Sequence, residues 1–321
     1  MTVSEKQSPP VLAIILPCYN EEAVLHSTME TIDGLLSDMV EQGRVSSESF
    51  ALYVDDGSMD ATWAIISAAH DANPRIRGLK FAGNAGHQNA LLAGMASVVG
   101  DVACAVTIDA DLQDDIAVIP EMVEKFMKGS HVVYGVRADR STDTWFKRTT
   151  AKLFYSGMNF LGAPIIPGHA DFRLVSSFAM DTLNNYPESN LFLRSIFPAM
   201  KLRSATVHYN RKARTAGETK YPFWKMVAFA IRGITVGSPV PLRLAALLSL
   251  LTFFLAVLQS MSALTAYFSG NTVPGWTSLT LLILYLSAVQ LFCMAVLGEY
   301  LAKIFTEVKR RPRYVVEKEL R

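Results

Sequence analysis

Short apolar runs alternate with amphipathic stretches over the first 136 residues. Between the first two runs, apolar positions recur at helical spacing from Leu25 to Met39. This alternation predicts an α/β domain in which helices cover a mostly parallel sheet. Five runs are partly β-branched and end at turn-forming or acidic residues, as buried strands do: Val11–Leu16, Ala51–Val54, Ile76–Phe81, Val102–Ile108 and His131–Val136.

The C-terminal third follows a different pattern. From Leu244 to Gly298 the chain contains no Asp, Glu, Lys or Arg. Within it, Leu244–Phe268 and Ser278–Gly298 each reach the length of about 20 residues that crosses a bilayer. They predict two transmembrane helices joined by a short turn. The alternative is a buried helical hairpin in a soluble protein, but soluble helices rarely lack charge on every face over such lengths.

Basic residues flank the two predicted spans. Arg243 precedes the first span, and five lysines and arginines follow the second between Lys303 and Arg313. The positive-inside rule therefore predicts a multi-pass protein of the plasma membrane with both termini and the α/β domain in the cytoplasm. The polar residues 1–10 predict no signal peptide.

Two further segments lie between the α/β pattern and the spans. Arg211–Lys220 is basic and contains glycine, which predicts a loop. After it, apolar residues from Phe223 to Ile234 share one helix face, as in a helix at a membrane interface or a surface helix packed on a core. The predicted organisation is a tail at 1–10, an α/β domain at 11–220, an interfacial segment at 221–241, two spans at 242–300 and a basic tail at 301–321.

Composition narrows the function classes. The chain of 321 residues has 30 basic and 29 acidic side chains, a balance that predicts no nucleic-acid partner. Cys18, Cys104 and Cys293 are too widely spaced for a metal motif, which indicates reduced thiols in a cytosolic setting. No Gly-x-Gly-x-x-Gly fingerprint follows the first strand and no P-loop is present, which weakens oxidoreductase and NTPase interpretations.

Polar clusters follow three of the predicted strands, where ligands of parallel sheets bind. Asp109 and Asp111 are two positions apart, so that their carboxylates can converge on one hard cation such as Mg²⁺. Gln113 and Asp114 are close enough to join them. The alternative for the acidic pair is a solvated turn that caps the next helix.

The other two clusters are Pro17–Glu22 and Asp55–Ser58. The first joins a strand to a helix N-terminus, which favours anionic groups, so it can meet a nucleotide. Its alternative is a helix cap in which Asn20 caps the first turn. In the second cluster, one carboxylate can accept hydrogen bonds from a base or a sugar.

Together these motifs resemble the polyprenyl-phosphate glycosyltransferases, which are inverting enzymes with a GT-A fold and include bactoprenol glucosyl transferases and dolichol-phosphate mannose synthases. The resemblance extends from about Val11 to Val316, and the tail is most similar to the bactoprenol branch. It rests on an ordered set of motifs followed by two spans: Pro17–Glu22, Asp55–Ser58, Asp109–Asp114, Asp171–Leu174 and Arg211–Tyr221.

The resemblance implies a GT-A, Rossmann-like catalytic domain followed by interfacial helices and a two-helix transmembrane hairpin. It implies transfer of a sugar from a nucleoside diphosphate sugar, with a UDP-sugar favoured, to polyprenyl (undecaprenyl) phosphate. Homo-oligomers are implied as well. The alternatives are a membrane polysaccharide synthase of the same fold, whose Gln-x-x-Arg-Trp motif this chain lacks, and a catalytically inactive membrane scaffold.

The resemblance also implies residue roles. Asp109, Asp111 and Gln113 would hold Mg²⁺ or Mn²⁺ at the diphosphate. Asp171 would lie at the reaction centre as a base or a positioning group, with Arg173 beside it. The residues implied to bind substrates are Pro17, Tyr19, Glu21, Asp56, Asp109, Arg137, Arg148, Arg211, Arg214 and Lys220.

One loop departs from the family pattern. Gly83 and Ala85 stand where the family usually has an arginine and an aromatic residue, which removes side chains expected to contact the base or sugar there. His87 and His169 are candidates to touch the sugar. The alternative for each is a histidine that only hydrogen-bonds its neighbours.

Overall fold

The computed structural model describes residues 8–137, 169–188, 191–210, 240–270 and 275–321. In these residues, eight strands form one sheet in the order β7-β5-β6-β4-β1-β2-β3-β8. The strands are β1 Leu12–Cys18, β2 Phe50–Asp55, β3 Ile76–Phe81, β4 Cys104–Thr107, β5 Val132–Arg137, β6 His169–Ser176, β7 Ser204–Tyr209 and β8 Val316–Leu320.

Helices connect most of the strands. A 3₁₀ turn at Ile116–Val118 leads into the fourth helix. The helices are α1 Leu25–Glu41, α2 Thr62–Ala72, α3 His87–Val98, α4 Ile119–Met127, α5 Ser177–Asn184, α6 Leu193–Ala199, α7 Val240–Phe268 and α8 Trp276–Val308.

The centre of the sheet is parallel and buried on both faces. All seven residues of β1 are buried, and successive side chains of a strand point to opposite faces. Ile14 joins a core cluster with Ile32 of α1, whereas Ile15 joins a second cluster with Leu91 of α3. The prediction of a mostly parallel, helix-covered sheet is therefore confirmed, and each predicted strand lies within two residues of its observed bounds.

Parallel pairing brings several loops to one edge. β4, β1, β2 and β3 run parallel, so their carboxyl ends lie together. The register pairs Cys18 with Asp55 at this edge. β6 is antiparallel to β4 and pairs Arg173 with Thr107, which brings the start of β6 to the same edge. The polar clusters of the sequence therefore meet there.

The second half of the predicted basic tail at 301–321 forms a strand that the sequence pattern did not predict. α8 continues to Val308, and the later residues return to the sheet as β8, antiparallel to β3. Tyr314 stacks on Phe81 with ring centroids 5.0 Å apart, and Lys80 forms a 2.9 Å ion pair with Glu317. Four of the five residues of β8 are exposed. A charged edge strand of this kind has no apolar run to predict it.

The chain divides into two units. One comprises Met1–Tyr155, Pro164–Lys220 and Pro312–Arg321, and contains the sheet. The other comprises Ser156–Ala163 and Tyr221–Arg311, and contains α7 and α8.

The two helices described in the second unit, α7 and α8, are apolar and exposed. α7 has 29 residues and α8 has 33, which are lengths of about 43 and 50 Å at 1.5 Å per residue. The apolar stretches within them are 6% and 0% buried, and each is long and apolar enough to cross a membrane. The two predicted spans lie inside these helices, and most of the predicted interfacial segment lies outside the described residues.

Candidate active site

The acidic pair stands in the turn that follows β4. Thr28 of α1 donates a 2.7 Å hydrogen bond to the carbonyl of Ala110, which holds the turn between the two aspartates. The side chain of Asp109 is 43% exposed. Asp111 accepts a 2.7 Å hydrogen bond at Oδ2 from the side-chain amide of Gln113. The structure therefore brings together the three residues predicted to hold a metal.

Negative charge is concentrated around this turn. Partial burial raises the pKa of Asp109, and the nearby carboxylates of Asp171 and Asp111 raise it further, whereas His87 lowers it. Burial also raises the pKa of Glu21, and Asp111 and Asp109 add to that shift. A site in which carboxylates raise each other's pKa carries uncompensated negative charge, which a divalent cation would neutralise.

The donor set fits a hard cation that is shared with substrate. Among the described residues, no group of three or more His, Cys, Asp and Glu side chains is arranged to hold a metal. Asp109 and Asp111 supply two carboxylates. Mg²⁺ usually takes one or two protein carboxylates and completes its shell with water and substrate phosphates.

Asp171 lies beside the acidic pair in a different environment. Its Oδ1 is 2.5 Å from Arg173 Nη2 and 3.3 Å from Arg194 Nε, and its Oδ2 is 2.9 Å from Arg194 Nη2. His87 Nε2 lies 3.6 Å from both Asp171 Oδ2 and Asp109 Oδ1. The imidazole thus stands between the two carboxylates.

These cationic partners determine the ionisation of Asp171. Burial opposes its charge, but His87, Arg173 and Arg194 outweigh burial and hold the pKa of Asp171 well below its ordinary value. Burial alone would lower the pKa of His87, yet Asp171 and Asp109 raise it. Asp171 is therefore a stable anion and a weak base.

Arg137, predicted to meet a phosphate, lies at the end of β5. Its guanidinium is 3.4 Å from Asp114 Oδ1 and 3.4 Å from the Tyr209 hydroxyl, and Tyr209 donates a 2.8 Å bond to the same Asp114 oxygen. Asp114 Oδ1 therefore holds Arg137 and Tyr209, and orients a cation near the site. That Asp114 joins the metal ligands stays a prediction.

Asp56, predicted to line the nucleotide pocket, holds a neighbouring loop. It is 3% exposed, and its carboxylate accepts hydrogen bonds of 2.6 Å from the amide of Ala85 and 2.9 Å from that of Gly86. Gly57 has a φ of 70°, and a Cβ there would lie 2.6 Å from the backbone of Gly83. The two loops are in backbone contact, which a side chain at Gly57 would prevent.

The first polar cluster, Pro17–Glu22, is hydrogen-bonded to the loop that follows β2. The side-chain oxygen of Asn20 accepts a 2.9 Å hydrogen bond from the backbone amide of Met59, and the backbone amide of Asn20 donates one to Ser58 Oγ. The N-cap of α1 is Val24, so the alternative in which Asn20 caps that helix is not found, and Asn20 bridges the two loops with a φ of 56°. The Tyr19 side chain is 45% exposed and can be reached by a ligand.

Two observations fit a ligand at these loops. Pro17 is paired in register with Val54 at the end of β1, which places the Tyr19 loop next to Asp55. Asp55 is fully buried. Its Oδ1 accepts from the amide of Ser58, and within the described part of the chain its Oδ2 has no hydrogen-bond partner. Buried polar atoms are usually satisfied.

Four of the predicted substrate-binding residues, Arg148, Arg211, Arg214 and Lys220, lie outside the described residues. For His169, only the backbone in β6 is described. Two residues that contact these carboxylates were not predicted: Arg194, which binds Asp171, and Tyr209, which binds Asp114. The sequence signal for Arg194 is a single basic residue directly after the apolar run Leu191–Leu193. For Tyr209 the signal is its position at the end of β7.

Known proteins resemble the chain over nearly its whole length. The model of the Glycosyl transferase family 2 matches residues 13–183. The uncharacterized glycosyltransferase YkoT of Bacillus subtilis is 47% identical over 98% of this chain and 94% of its own length. The prophage bactoprenol glucosyl transferase homolog of Escherichia coli is 35% identical over 96% and 98%. The bactoprenol glucosyl transferase of Shigella phage SfII is 36% identical over 96% and 97%.

The family model covers more than half of the chain and includes the acidic pair and Asp171. The sheet has the GT-A, Rossmann-like arrangement that the resemblance implied. The chain belongs to glycosyl transferase family 2, and it is a glycosyltransferase.

Proposed function

We propose that this glycosyltransferase moves a sugar from a nucleoside diphosphate sugar to a polyprenyl phosphate, such as undecaprenyl phosphate, at the cytoplasmic face of the plasma membrane. A UDP-sugar is the favoured donor. The observation that carries the proposal is the contact of the Asp171 carboxylate with His87, Arg173 and Arg194. These cations hold the pKa of Asp171 well below its ordinary value, and so Asp171 is poorly suited to remove a proton from a sugar hydroxyl.

A phosphate acceptor does not need a strong base, because its oxygen is already anionic near neutral pH. The acceptor oxygen attacks the anomeric carbon, and the bond between that carbon and the donor diphosphate breaks. The electron pair leaves with the nucleoside diphosphate, so no proton has to be removed. The surrounding cations then stabilise phosphate charge on both sides of the reacting carbon.

The residues of the chain divide this work. Asp109 and Asp111, with Gln113, would hold Mg²⁺ or Mn²⁺, and a bound divalent cation would supply positive charge against the diphosphate. Arg137, oriented by Asp114, supplies a cation on the β5 side. The loops of Tyr19 and Asp56 bind the nucleotide, for which the buried Asp55 oxygen offers an acceptor.

The apolar helices support a lipid acceptor. Side chains such as Leu247, Phe253 and Leu258 of α7 are each more than 60% exposed. A bilayer would cover these surfaces and keep a polyprenyl chain next to the enzyme. The relatives named as bactoprenol glucosyl transferases match over nearly the whole chain, spans included, and so support the same acceptor class.

The test is transfer of radiolabelled sugar by the full chain in detergent. Farnesyl phosphate and farnesol would be compared as acceptors, with a panel of UDP- and GDP-sugars as donors. We expect label in the organic phase with farnesyl phosphate and at least 100-fold less with farnesol. Equal transfer to farnesol, or no transfer from any donor by the folded protein, would refute the proposal.

Two variants of this assay separate the alternatives. Label that stays in a polymer insoluble in organic solvent would identify a polysaccharide synthase. For the topology, a single cysteine replacing Thr272 in a cysteine-free chain should react with an impermeant label in intact cells. A cysteine replacing Glu317 serves as the control and should react only after lysis. The reverse pattern would overturn the proposed cytoplasmic placement.

A further inference from the structure

We infer that Arg194 is the cation that positions the acceptor phosphate, and that Asp171 acts by holding Arg194 in place. The inference rests on the proposed function and deepens it, because it assigns the acceptor's phosphate to one residue. It also decides between the two roles left open for Asp171. Asp171 is a positioning residue, since it acts through Arg194.

The backbone that carries Arg194 is fixed from two sides. The amide of Leu193, the first residue of α6, donates a 3.2 Å hydrogen bond to Gln88 Oε1 of α3. The carbonyl of Leu193 accepts a 3.2 Å hydrogen bond from Arg173 Nη1 of β6. The start of α6 is therefore tied to both the sheet and α3. A side chain that begins next to such a junction loses little freedom when it binds a ligand.

The guanidinium of Arg194 is fixed as well. It contacts both oxygens of Asp171, at 2.9 Å from Nη2 and 3.3 Å from Nε, in the two-point arrangement typical of strong arginine–carboxylate pairs. The side chain of Arg194 is 32% exposed, whereas that of Arg173 on the same carboxylate is 1% exposed. Arg173 thus supports the carboxylate from within, and Arg194 presents charge towards the solvent side.

Cationic side chains surround the carboxylate of Asp171. Arg173 and Arg194 both contact it, and His87 lies 3.6 Å from its Oδ2. The Asp109 half is negative and suits a metal with its diphosphate. His87 contacts both halves at 3.6 Å. The reaction brings an acceptor phosphate and a donor diphosphate to the same anomeric carbon, and Arg194 supplies a cation for the acceptor phosphate beside the metal pair.

The test compares Arg194→Met and Arg194→Lys with Lys201→Met, in the full chain in detergent. Lys201→Met removes an exposed cation just after α6 and is the matched control. We expect Arg194→Met to raise the KM for farnesyl phosphate at least tenfold and to change the KM for the nucleotide sugar less than twofold. Arg194→Lys should restore part of the loss. Asp171→Asn should shift the same acceptor KM, and Lys201→Met should shift neither.

Equilibrium binding of fluorescent farnesyl phosphate gives a readout that does not depend on turnover. Wild-type protein should bind it, and Arg194→Met should bind it at least tenfold more weakly while retaining the wild-type melting temperature within a few degrees. If Arg194→Met binds as wild type does, or if its nucleotide-sugar KM rises instead, the inference is wrong and the proposed function stands. If wild-type protein does not bind farnesyl phosphate at all, both fail.

Discussion

Asp109 and Asp171 are neighbouring carboxylates whose surroundings act in opposite directions. Asp109 is 43% exposed and Asp171 only 10%, so desolvation alone would raise the pKa of Asp171 more. The opposite holds. Burial raises the pKa of Asp109 and nearby acids add to it against His87, whereas His87 and two arginines outweigh burial at Asp171. The charges of the neighbours therefore reverse the effect of burial at Asp171. The Asp109 half would bind a cation from solution, whereas the Asp171 half contains its own cationic side chains.

The largest expected effect comes from removing the charge of the acidic half. Asp111→Asn should lower kcat by roughly 10²–10³-fold, the usual loss when one stabilising group is removed at developing charge, because the cation would lose a ligand. Initial rates measured over a titration of Mn²⁺ would test this. Asp115→Asn, in the next turn, is the control and should keep wild-type rates. Full activity of Asp111→Asn would contradict a role for Asp111 as a ligand of a cation that the reaction needs.

The second effect concerns stability of the cationic half. Arg173→Met leaves Asp171 buried without its internal partner, which typically costs about 3–5 kcal/mol. We expect a fall of several degrees or more in the melting temperature followed by intrinsic fluorescence. Arg194→Met should cost clearly less, since Arg194 is 32% exposed. An equal loss in both variants would contradict the division between a supporting and a presenting arginine.

The third effect has opposite signs in the two halves. Without metal, Asp109→Asn should raise the melting temperature because it removes a carboxylate crowded by other acids. Asp171→Asn should lower it because it leaves two arginines without their anion. Adding Mn²⁺ should stabilise wild-type protein and leave Asp109→Asn nearly unchanged. If the melting temperatures of Asp109→Asn and Asp171→Asn shift in the same direction without metal, the two carboxylates do not have the opposite effects on stability described above.

The pH dependence follows from the same shifts. Asp171 has a lowered folded pKa, so its stabilisation is complete above the unfolded value of about 3.9 and is lost as pH falls through the folded pKa. Asp109 has a raised folded pKa, so its ionised form destabilises the metal-free fold, and lowering the pH towards 4 relieves that. As the pH falls from 7 to 4.5, the melting temperature of wild-type protein should therefore rise relative to that of Asp109→Asn. A difference in melting temperature that does not change with pH would contradict the raised pKa of Asp109.

The smallest effect lies at the contact between β8 and the end of β3. Tyr314→Ala removes the ring stacked on Phe81 and should cost about 0.5–1.5 kcal/mol beyond lost burial. It should leave the ratio of donor KM to acceptor KM unchanged. Tyr314→Phe keeps the stack and is the control. A change in that ratio would show that the halves are coupled through the sheet edge.

The sequence was informative where pattern and chemistry are local. The parallel strands and the turn of Asp109 and Asp111 follow from apolar runs and a two-residue spacing. The partners of Asp171 depend instead on contacts between distant segments. Arg194 is 23 residues away in sequence, and Tyr209 binds Asp114 across 95. β8 escaped prediction because Val316–Leu320 carries three charged residues and lies at an exposed edge.

The position of β8 in the chain has a consequence for biosynthesis. β3 is an early strand, but its partner β8 is translated after both apolar helices. The edge of β3 therefore stays open while α7 and α8 emerge from the ribosome. An open strand edge invites pairing with other chains. Delivery of the helices to a membrane would keep this nascent chain apart from others until β8 arrives and closes the sheet.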